Sequence, residues 1–281
     1  INKPVYIGPK LNSNNKSYWS GIKFDSTQVE SNISFLTISN AHNGLDIRSS
    51  VNISNSVVQL SGNHGVYVKS TSSDSILFQN VRITKCDDVS FFIDRGNVEL
   101  NWIDISKGKS VGLVNNKFGS VLIDNLKITD HSDNGIMNYG HLNASNIFIS
   151  KNRHGIVLSP GISIITNAKI VKNRVNGLLI GGGSNGDMEY CTIEKNGGFG
   201  IELSDWSQDD YYSNWEFKNQ PYIKITNSNF IDNYKSSVLD DHKYQNIWSS
   251  WEDVEYSGSG WVDNFEIKLK RKVPFGRLSW I

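Results

Sequence analysis

Arg82, Asp104 and Lys127 are the residues of this sequence whose types and spacing best suit chemistry. Positions 82, 104 and 127 are 22 and 23 residues apart, and Phe148 and Lys169 continue the same phase. A basic side chain beside a carboxylate can move a proton, and several carboxylates together can hold Ca²⁺. This column contains one carboxylate. We therefore favour a solvated row of alternating charge, in which each pair contributes about 0.2–1 kcal/mol, and keep catalysis as the alternative.

A second candidate site is the segment 204–221, SDWSQDDYYSNWEFKNQP, which combines aromatic and acidic residues. Its candidate ligand-binding residues are Trp206, Asp209, Asp210, Tyr211, Tyr212 and Trp215. Aromatic rings can stack on sugar faces while carboxylates accept hydrogen bonds from hydroxyl groups, and long loops on regular scaffolds often carry function. The same rings could instead cover the flank of the molecule and close its C-terminal end, and both interpretations stay open.

Other groups of polar residues have a structural explanation. Asp87 and Asp88 follow Cys86 in a polar stretch that is typical of a turn. One group of lysines shares a single phase, interrupted at Asp130, and consists of Lys85, Lys107, Lys151, Lys172 and Lys195. These lysines, with Arg153 and Arg174 beside them, could hold an anionic polymer, but we favour simple solvation of like charges. The six His residues share neither a phase nor a metal-like spacing, so we predict no metal or cofactor.

A repeat positions all of these side chains. The third apolar residue of successive strand-like segments recurs at an interval of 21 to 23 residues. These anchor residues are Ile38, Leu60, Ile83, Ile105, Ile128, Ile149, Ile170 and Ile193. The residue two positions before each anchor is apolar or small, and the residues that flank the anchor are mostly polar. Such alternation is typical of a β-strand with one buried face.

Each unit contains two further short apolar runs, as in SILF and GLLI, and shows no helical periodicity. Three strands per unit predict an all-β coil. About nine such coils, stacked at roughly 4.8 Å, would build three parallel sheets around a narrow apolar core. Asn152, Asn173 and Asn196 share one phase and are predicted to form a structural ladder of amides, which Asn233 would continue.

The end of the repeat sets the predicted domain organisation. Phe230 is the next anchor, 37 residues after Ile193, so this coil carries the insertion at 204–221. We predict the coil over residues 1–250 and a C-terminal β cap, or a bridge to a further domain, over residues 251–281. Cys86 and Cys191 lie several coils apart, too far for a disulfide, so we expect two buried free thiols.

Composition excludes some classes of partner. The 28 basic and 28 acidic residues balance, which removes the simplest argument for nucleic acid. No run of about 18 apolar residues is present, so we predict no membrane span. The opening INKPVYIGPK contains no Met and no signal-like stretch, and we expect it to lie inside a longer exported protein.

With this coil length, three-strand pattern and Asn row, the chain resembles the right-handed parallel β-helix superfamily typified by pectate lyases. More narrowly, its opening resembles that of cell-surface β-helix repeat proteins. The residues that carry this second resemblance are Pro4, Val5, Trp19, Gly21, Ile22 and Phe24. The likeness covers roughly residues 1–240 and implies a single right-handed parallel β-helix. It is weak for function, because the superfamily holds lyases, hydrolases, epimerases and adhesins alike.

The resemblance implies an extracellular or cell-surface location and leaves two functions open. We favour a non-catalytic module for adhesion, carbohydrate recognition or structural spacing, with a polysaccharide or a cell-surface protein as partner. The alternative is a polysaccharide lyase or glycoside hydrolase, with Arg82, Asp104 and Lys127 or the acidic insertion as catalytic residues and with Ca²⁺ only in a lyase. The stretch KCDDVS resembles the Asp-Asp-Cys element of pectinase hydrolases, but no partner Asp lies in phase on the adjacent units. An enzyme should show at least two converging carboxylates, whereas a binding module should show aromatic residues without them.

Overall fold

The structure is a computed structural model that describes residues 4–8, 18–25, 31–71, 75–203, 222–233, 247–257 and 264–276. The regular elements of these ranges are strands, and no helix occurs among them. The strands are β1 (Val5–Ile7), β2 (Ile22–Phe24), β3 (Ser31–Ser34), β4 (Leu36–Ser39), β5 (Leu45–Ile47), β6 (Val51–Gln59), β7 (Val66–Lys69), β8 (Ser75–Thr84), β9 (Phe91–Ser106), β10 (Leu113–Thr129), β11 (Ile136–Asn138), β12 (His141–Ser150), β13 (Ile156–Leu158), β14 (Gly161–Val171), β15 (Leu178–Ile180), β16 (Ser184–Glu189), β17 (Thr192–Glu194), β18 (Ile201–Leu203), β19 (Tyr222–Thr226), β20 (Asn229–Ile231), β21 (Ile247–Ser257) and β22 (Asn264–Gly276).

The strands stack as a parallel β-solenoid of about 8 turns, which confirms the predicted fold class. Three sheets run along its axis. Sheet 1 contains β2, β5, β7, β11, β13, β15 and β18, together with the first residues of β9 and β10. Sheet 2 contains β3, β16 and β19, the first residues of β6, β8, β12 and β14, and the middle residues of β9 and β10. Sheet 3 contains β1, β4, β17 and β20, together with the last residues of β6, β8, β9, β10, β12 and β14. The longer strands thus bend from one sheet into the next. Strand β22 differs, because it pairs antiparallel with β19 and β21.

Two corners of each coil consist of a single residue in the left-handed region, with φ between 47° and 61°. The first ridge of such residues lies between sheets 2 and 3 and consists of Phe35, Asn55, Asn80, Trp102, Asn125, Asn146, Asn167, Tyr190 and Asn227. The second ridge follows sheet 3 and consists of Asn40, Leu60, Lys85, Lys107, Asp130, Lys151, Lys172, Lys195 and Asp232. Asn and Asp tolerate this conformation better than other residues with a Cβ atom, which explains much of the Asn content.

The core is a single column of apolar side chains from the inward positions of all three sheets. Ile38, Ile83 and Ile105 are fully buried, and Phe78 packs edge-to-face on Phe91 with ring centroids 4.9 Å apart. Gly residues let neighbouring coils approach closely at the start of sheet 1. A Cβ atom on Gly135 would lie 2.5 Å from the carbonyl oxygen of the next coil. The repeat therefore combines inward apolar residues with one position that excludes a side chain.

The structure corrects one anchor of the predicted repeat. Ile38 pairs with Val58, and Val58 pairs with Ile83, whereas Leu60 lies in the second ridge and is 37% exposed. Position 58 follows 38 by 20 residues and precedes 83 by 25, so a short coil is followed by a long one. The prediction failed because Val58 and Leu60 are both apolar and share one strand phase, so alternation alone does not distinguish them.

The C-terminal strands extend the solenoid and then change direction. Ile201 of β18 pairs in parallel with Ile247 of β21, whereas Val254 of β21 pairs antiparallel with Leu269 of β22. An antiparallel strand cannot start another coil of the same kind. A C-terminal cap over residues 251–281 remains a prediction, and so does the end of the β-strand coil at residue 250.

Candidate functional site

The Arg82, Asp104 and Lys127 column lies on the outer face of sheet 3. Asp104 is the register neighbour of both cations, and Arg82 Nε lies 3.9 Å from Asp104 Oδ2. The Arg82 side chain is 64% exposed and that of Asp104 is 37% exposed. The column continues through Phe148 and Lys169, so the structure brings the five residues into one row with one carboxylate. A single carboxylate between two cations lacks the second acid that hydrolysis requires.

Asp87 and Arg174, two other polar residues that the sequence analysis considered, lie at corners of the coil. Asp87 accepts from Lys109 at 2.7 Å and from the Tyr18 hydroxyl at 3.0 Å, so it belongs to a surface network. Arg174 donates to the carbonyl oxygens of His131 and Ser132 and thereby joins adjacent corners. The insertion residues Trp206, Asp209, Asp210, Tyr211, Tyr212 and Trp215 lie outside the described residues.

The Asn row forms a continuous amide ladder inside the corner that precedes sheet 1. Nδ2 of Asn152 donates a hydrogen bond to Oδ1 of Asn173. The same bond joins Asn173 to Asn196 and Asn196 to Asn233, and the three distances are 2.7 to 3.2 Å. Each Oδ1 also accepts the backbone N–H of the ladder residue one coil earlier. The residues are buried, so these bonds satisfy groups that water cannot reach. The geometry is that of a structural element.

The outer face of sheet 1 holds a group of aromatic side chains that the sequence patterns did not single out. The rings of His64, Tyr67 and Phe92 lie nearly parallel, with centroids 5.2 to 5.6 Å apart and interplanar angles of 5° to 14°. Tyr67 and Phe92 are direct register neighbours, and all three side chains are half-buried. We call these three residues the aromatic stack. Its signal in the sequence was an aromatic residue at the same phase of GVYV and SFFI.

A charged network adjoins the aromatic stack. Asp94 accepts from Lys69 Nζ at 3.0 Å, from Asn116 Nδ2 at 3.2 Å and from the Tyr67 hydroxyl at 3.4 Å. Burial acts to raise the pKa of Asp94, but the Lys69 and Asn116 hydrogen bonds outweigh it and lower that pKa. Burial, and then the charge of Asp94, raises the pKa of Tyr67. Tyr67 therefore stays protonated and acts as a neutral hydrogen-bonding group.

A second ion pair lies on the other side of Tyr67. Arg48 forms a bidentate pair with Asp46, at 3.1 Å through Nε and 3.2 Å through Nη2. Asp46 is the register neighbour of Tyr67, so the aromatic stack has a carboxylate with its own cation on each side. The arrangement can accept and donate hydrogen bonds around an aromatic platform, and both carboxylates are already paired.

An apolar row continues the face of sheet 1 beyond Phe92. Successive coils place Val114, Met137, Val157 and Leu179 at the outward position, where a polar residue is the usual choice. Val114 packs in a small cluster with Phe92 and Met137. The aromatic stack thus lies at one end of a six-residue apolar row that ends at Glu202.

A cleft of about 450 Å³ opens on sheet 2, near the C-terminal end of the solenoid. Its outward lining residues include Ile164, Asp187, Lys224 and Asn227. The cleft is lined by one cation, two carboxylates and three apolar residues together with hydroxyl and amide groups, and no aromatic ring is among its described lining residues. It is a weaker candidate for sugar binding than the face of sheet 1.

In the ranges that the structure describes, no group of three or more His, Cys, Asp or Glu side chains could hold a metal ion. Among the same residues, no helix is long and apolar enough to cross a membrane.

Comparison with known families identifies the architecture. The family described as the right handed beta helix region matches residues 43–186, which is more than half of the chain. The chain belongs to the right-handed β-helix family. This β-helix protein has no significant match among curated protein sequences.

Three solved structures resemble the β-helix protein in fold. The mannuronan C-5 epimerase AlgE4 A-module of Azotobacter vinelandii is 16% identical, with a TM-score of 0.56 over 72% of this chain and 59% of that one. The periplasmic alginate epimerase AlgG is 12% identical, with a TM-score of 0.52 over 75% of this chain and 50% of that one. Pectate lyase Pel9A is 14% identical, with a TM-score of 0.51 over 89% of this chain and 70% of that one.

These similarities show the fold alone. The β-helix protein spans about half to three-fifths of the length of the two epimerases. A shared fold at this level of identity does not transfer a catalytic site, because unrelated functions occur on one architecture.

Proposed function

We propose that the β-helix protein is a non-catalytic module that recognises an extracellular polysaccharide on the outer face of sheet 1. The observation that carries the proposal is the aromatic stack, in which Tyr67 and Phe92 lie parallel beside Asp94. Half-buried aromatic rings with polar groups at their margin suit a pyranose ring, which has apolar faces and an equator of hydroxyl groups.

The polar groups around the stack match that ligand. Asp46 and Asp94 offer oxygen atoms to hydroxyl groups, and Arg48 and Lys69 offer donors, all within two coils of Tyr67. Because each carboxylate is paired with a cation, neither is a free acid or base. The geometry favours recognition over bond cleavage.

We extend the proposal to the insertion at 204–221. This segment follows β18 in the sequence, and β18 is a strand of the sheet that carries the aromatic stack. Trp206, Asp209, Asp210, Tyr211, Tyr212 and Trp215 are proposed to add contacts to the same polysaccharide. An extracellular or cell-surface location is part of the proposal, since that is where such ligands occur.

Affinity electrophoresis in gels that contain neutral or acidic polysaccharides tests the proposal. The wild-type protein should be retarded by at least one glycan, and Tyr67→Ala should abolish most of the retardation. Asp94→Asn keeps the shape of the side chain and should weaken retardation less. A Trp206→Ala, Trp215→Ala double variant tests the insertion.

The matched control is Tyr190→Ala, because Tyr190 is 60% exposed on the first ridge, away from sheet 1. It should bind as the wild type does. Thermal unfolding by circular dichroism checks that each variant is folded. Unchanged retardation in folded Tyr67→Ala would refute the site.

A lyase or hydrolase is the second candidate, and one observation favours it. Asp104 Oδ1 is shielded from solvent and has no hydrogen-bond partner among the described residues, although Arg82 and Lys127 flank Asp104 in register. Absorbance of unsaturated products and reducing-end assays, with and without Ca²⁺, would detect either activity. Turnover that is lost in Asp104→Asn would establish this column as catalytic and overturn the non-catalytic proposal.

A further inference from the structure

The outer face of sheet 3 has a strong excess of positive charge in a chain with no net charge. Between residues 82 and 195, the outward positions of this sheet and the second ridge hold eight cations and three carboxylates. The cations are Arg82, Lys85, Lys107, Lys127, Lys151, Lys169, Lys172 and Lys195, and the carboxylates are Asp104, Asp130 and Glu194. The face is distinct from sheet 1, which carries the aromatic stack.

Few of these cations are neutralised. Three form ion pairs, which join Arg82 to Asp104 at 3.9 Å, Lys151 to Asp130 at 3.9 Å and Lys169 to Glu194 at 3.4 Å. The other five have no carboxylate within 4.0 Å among the residues that the structure covers. They are Lys85, Lys107, Lys127, Lys172 and Lys195.

The charges beyond this face largely cancel. Past the second ridge, Lys109 pairs with Asp87, and Arg153 pairs with Asp133 at 3.7 Å. At the opposite edge, Asp124 accepts from Asn125, Ser145 and Asn146 and faces sheet 2. The positive face therefore keeps its charge as a strip along the axis.

The lysines of the second ridge lie in an unfavourable conformation. Lys85, Lys107, Lys151, Lys172 and Lys195 all have φ between 54° and 60°, a region in which Asn is preferred. The chain does use Asn at this ridge, at position 40. Like charges on neighbouring strands, about 4.8 Å apart, also repel each other. The corner requires the left-handed conformation in every coil, so the feature that needs an explanation is the choice of Lys over Asn at five of the nine positions of the ridge.

The side-chain chemistry indicates the anion. Arginine binds carboxylates and phosphates alike through a planar, bidentate fork, whereas lysine binds a phosphate-type oxyanion as a point charge without a fixed geometry. The second ridge contains lysine and no arginine. Such a row suits the tetrahedral oxyanions of sulfate or phosphate esters on an extended polymer, which a point charge can approach from several directions.

The exposed aromatic residues beside this face argue against single-stranded nucleic acid. Trp102 is 64% exposed and Tyr190 is 60% exposed on the first ridge, but three Asn residues of that ridge separate them. Successive bases would need closely spaced rings for continuous stacking.

We propose that the lysine row Lys85, Lys107, Lys151, Lys172 and Lys195, with Lys127 beside it, binds a linear polysaccharide that carries sulfate or phosphate esters. The polymer lies along the axis of the solenoid and presents one charge to each coil or to every second coil. This second site is independent of the aromatic stack on sheet 1, so either proposal can fail without the other.

The test uses the triple variant Lys151→Asn, Lys172→Asn and Lys195→Asn. Asn suits the left-handed conformation, so the variant should be at least as stable as the wild type. The probes are dextran sulfate, phosphorylated dextran, neutral dextran, a polyuronate and single-stranded DNA, each titrated by fluorescence anisotropy at several salt concentrations. Wild-type protein should bind the two ester polymers in a salt-dependent manner. The affinity of the triple variant for both polymers should be lower by a factor of at least about ten.

The matched control removes three exposed lysines elsewhere, in Lys23→Gln, Lys117→Gln and Lys224→Gln. It should keep at least half of the wild-type affinity, which separates a local site from a net-charge effect. Equal losses in both triple variants would overturn the proposal. Tighter binding of the polyuronate or of DNA than of the ester polymers would overturn it as well. Loss of binding in Tyr67→Ala, with the lysine variant unaffected, would assign all recognition to sheet 1.

Discussion

The backbone N–H of His131 donates to Oδ1 of Asn152 at 3.0 Å, so His131 occupies the position that Asn occupies in the next coils. Its Nε2 lies 3.0 Å from Ser90 Oγ, while its Nδ1 has no hydrogen-bond partner in the part of the chain that is described. The amide ladder thus ends on a fully buried imidazole. This relationship leads to two predictions.

Acid should destabilise the protein through this imidazole. Burial lowers the pKa of His131 from 6.5 to about 4, and burial lowers the pKa of His154 to about 4 as well. Between these values the unfolded chain binds protons that the folded chain does not, so stability is complete above pH 6.5 and falls toward pH 4. Each residue accounts for up to about 3 kcal/mol. Urea unfolding at about pH 7.5 and about pH 4.5 measures the difference.

The variant His131→Asn extends the amide ladder and removes one of the imidazoles whose pKa burial lowers, which also include His64 and His154. It should reduce the loss of stability in acid by up to about 3 kcal/mol. His141→Asn, at an exposed position, is the control and should leave the pH dependence unchanged. An unaltered acid transition in His131→Asn would contradict the assignment.

Removal of one ladder amide should strongly destabilise the fold. Asn173→Ala leaves the N–H and the Nδ2 of Asn152 without their acceptor and takes a donor from Asn196. Each of the two donors left unsatisfied costs about 1–3 kcal/mol, so we expect a loss of about 2–6 kcal/mol. Chemical denaturation measures it, with Asn185→Ala on the exposed face of β16 as the control. A loss below about 1 kcal/mol would show that water replaces the amide.

Replacement of an exposed aromatic residue on the first ridge should stabilise the protein. Trp102 has φ of 59° and interrupts the Asn residues of that ridge between Asn80 and Asn125. Trp102→Asn should gain about 1 kcal/mol, because Asn tolerates this conformation. Trp102→Ala removes the same ring, but Ala does not tolerate the left-handed conformation as Asn does, so this variant should not gain stability. Thermal unfolding of the two variants compares the effects, and equal stabilities would contradict the explanation.

Both thiols should be inert in the folded protein. Cys86 and Cys191 are buried and free, and burial raises the pKa of each to about 11. A thiolate is the reactive species, so neither residue should react with Ellman's reagent under native conditions. Two thiols should react after addition of denaturant. Rapid labelling without denaturant would show that the corners open locally.

Much of the fold could be predicted from the sequence because the relevant interactions repeat. The inward Ile residues and the row Asn152, Asn173 and Asn196 recur at the coil period, so one-dimensional spacing carries the three-dimensional stacking. The register of Val58 could not be predicted from spacing. A coil of 20 residues is followed there by one of 25, so the average period is unchanged although the anchor position shifts. Only the hydrogen bonds between neighbouring strands distinguish Val58 from Leu60.

The sequence by itself determined the all-β coil, its three strands per turn and the amide ladder, because each depends on residue type at a fixed interval. Tertiary structure decided which outward side chains meet. Tyr67 and Phe92 are 25 residues apart and become neighbours only through the pairing of β7 with β9. Tertiary structure also decided which cations of the lysine row are neutralised, because an ion pair depends on distances between side chains of different coils. Function on a solenoid resides in lateral contacts between coils, and strand register sets those contacts.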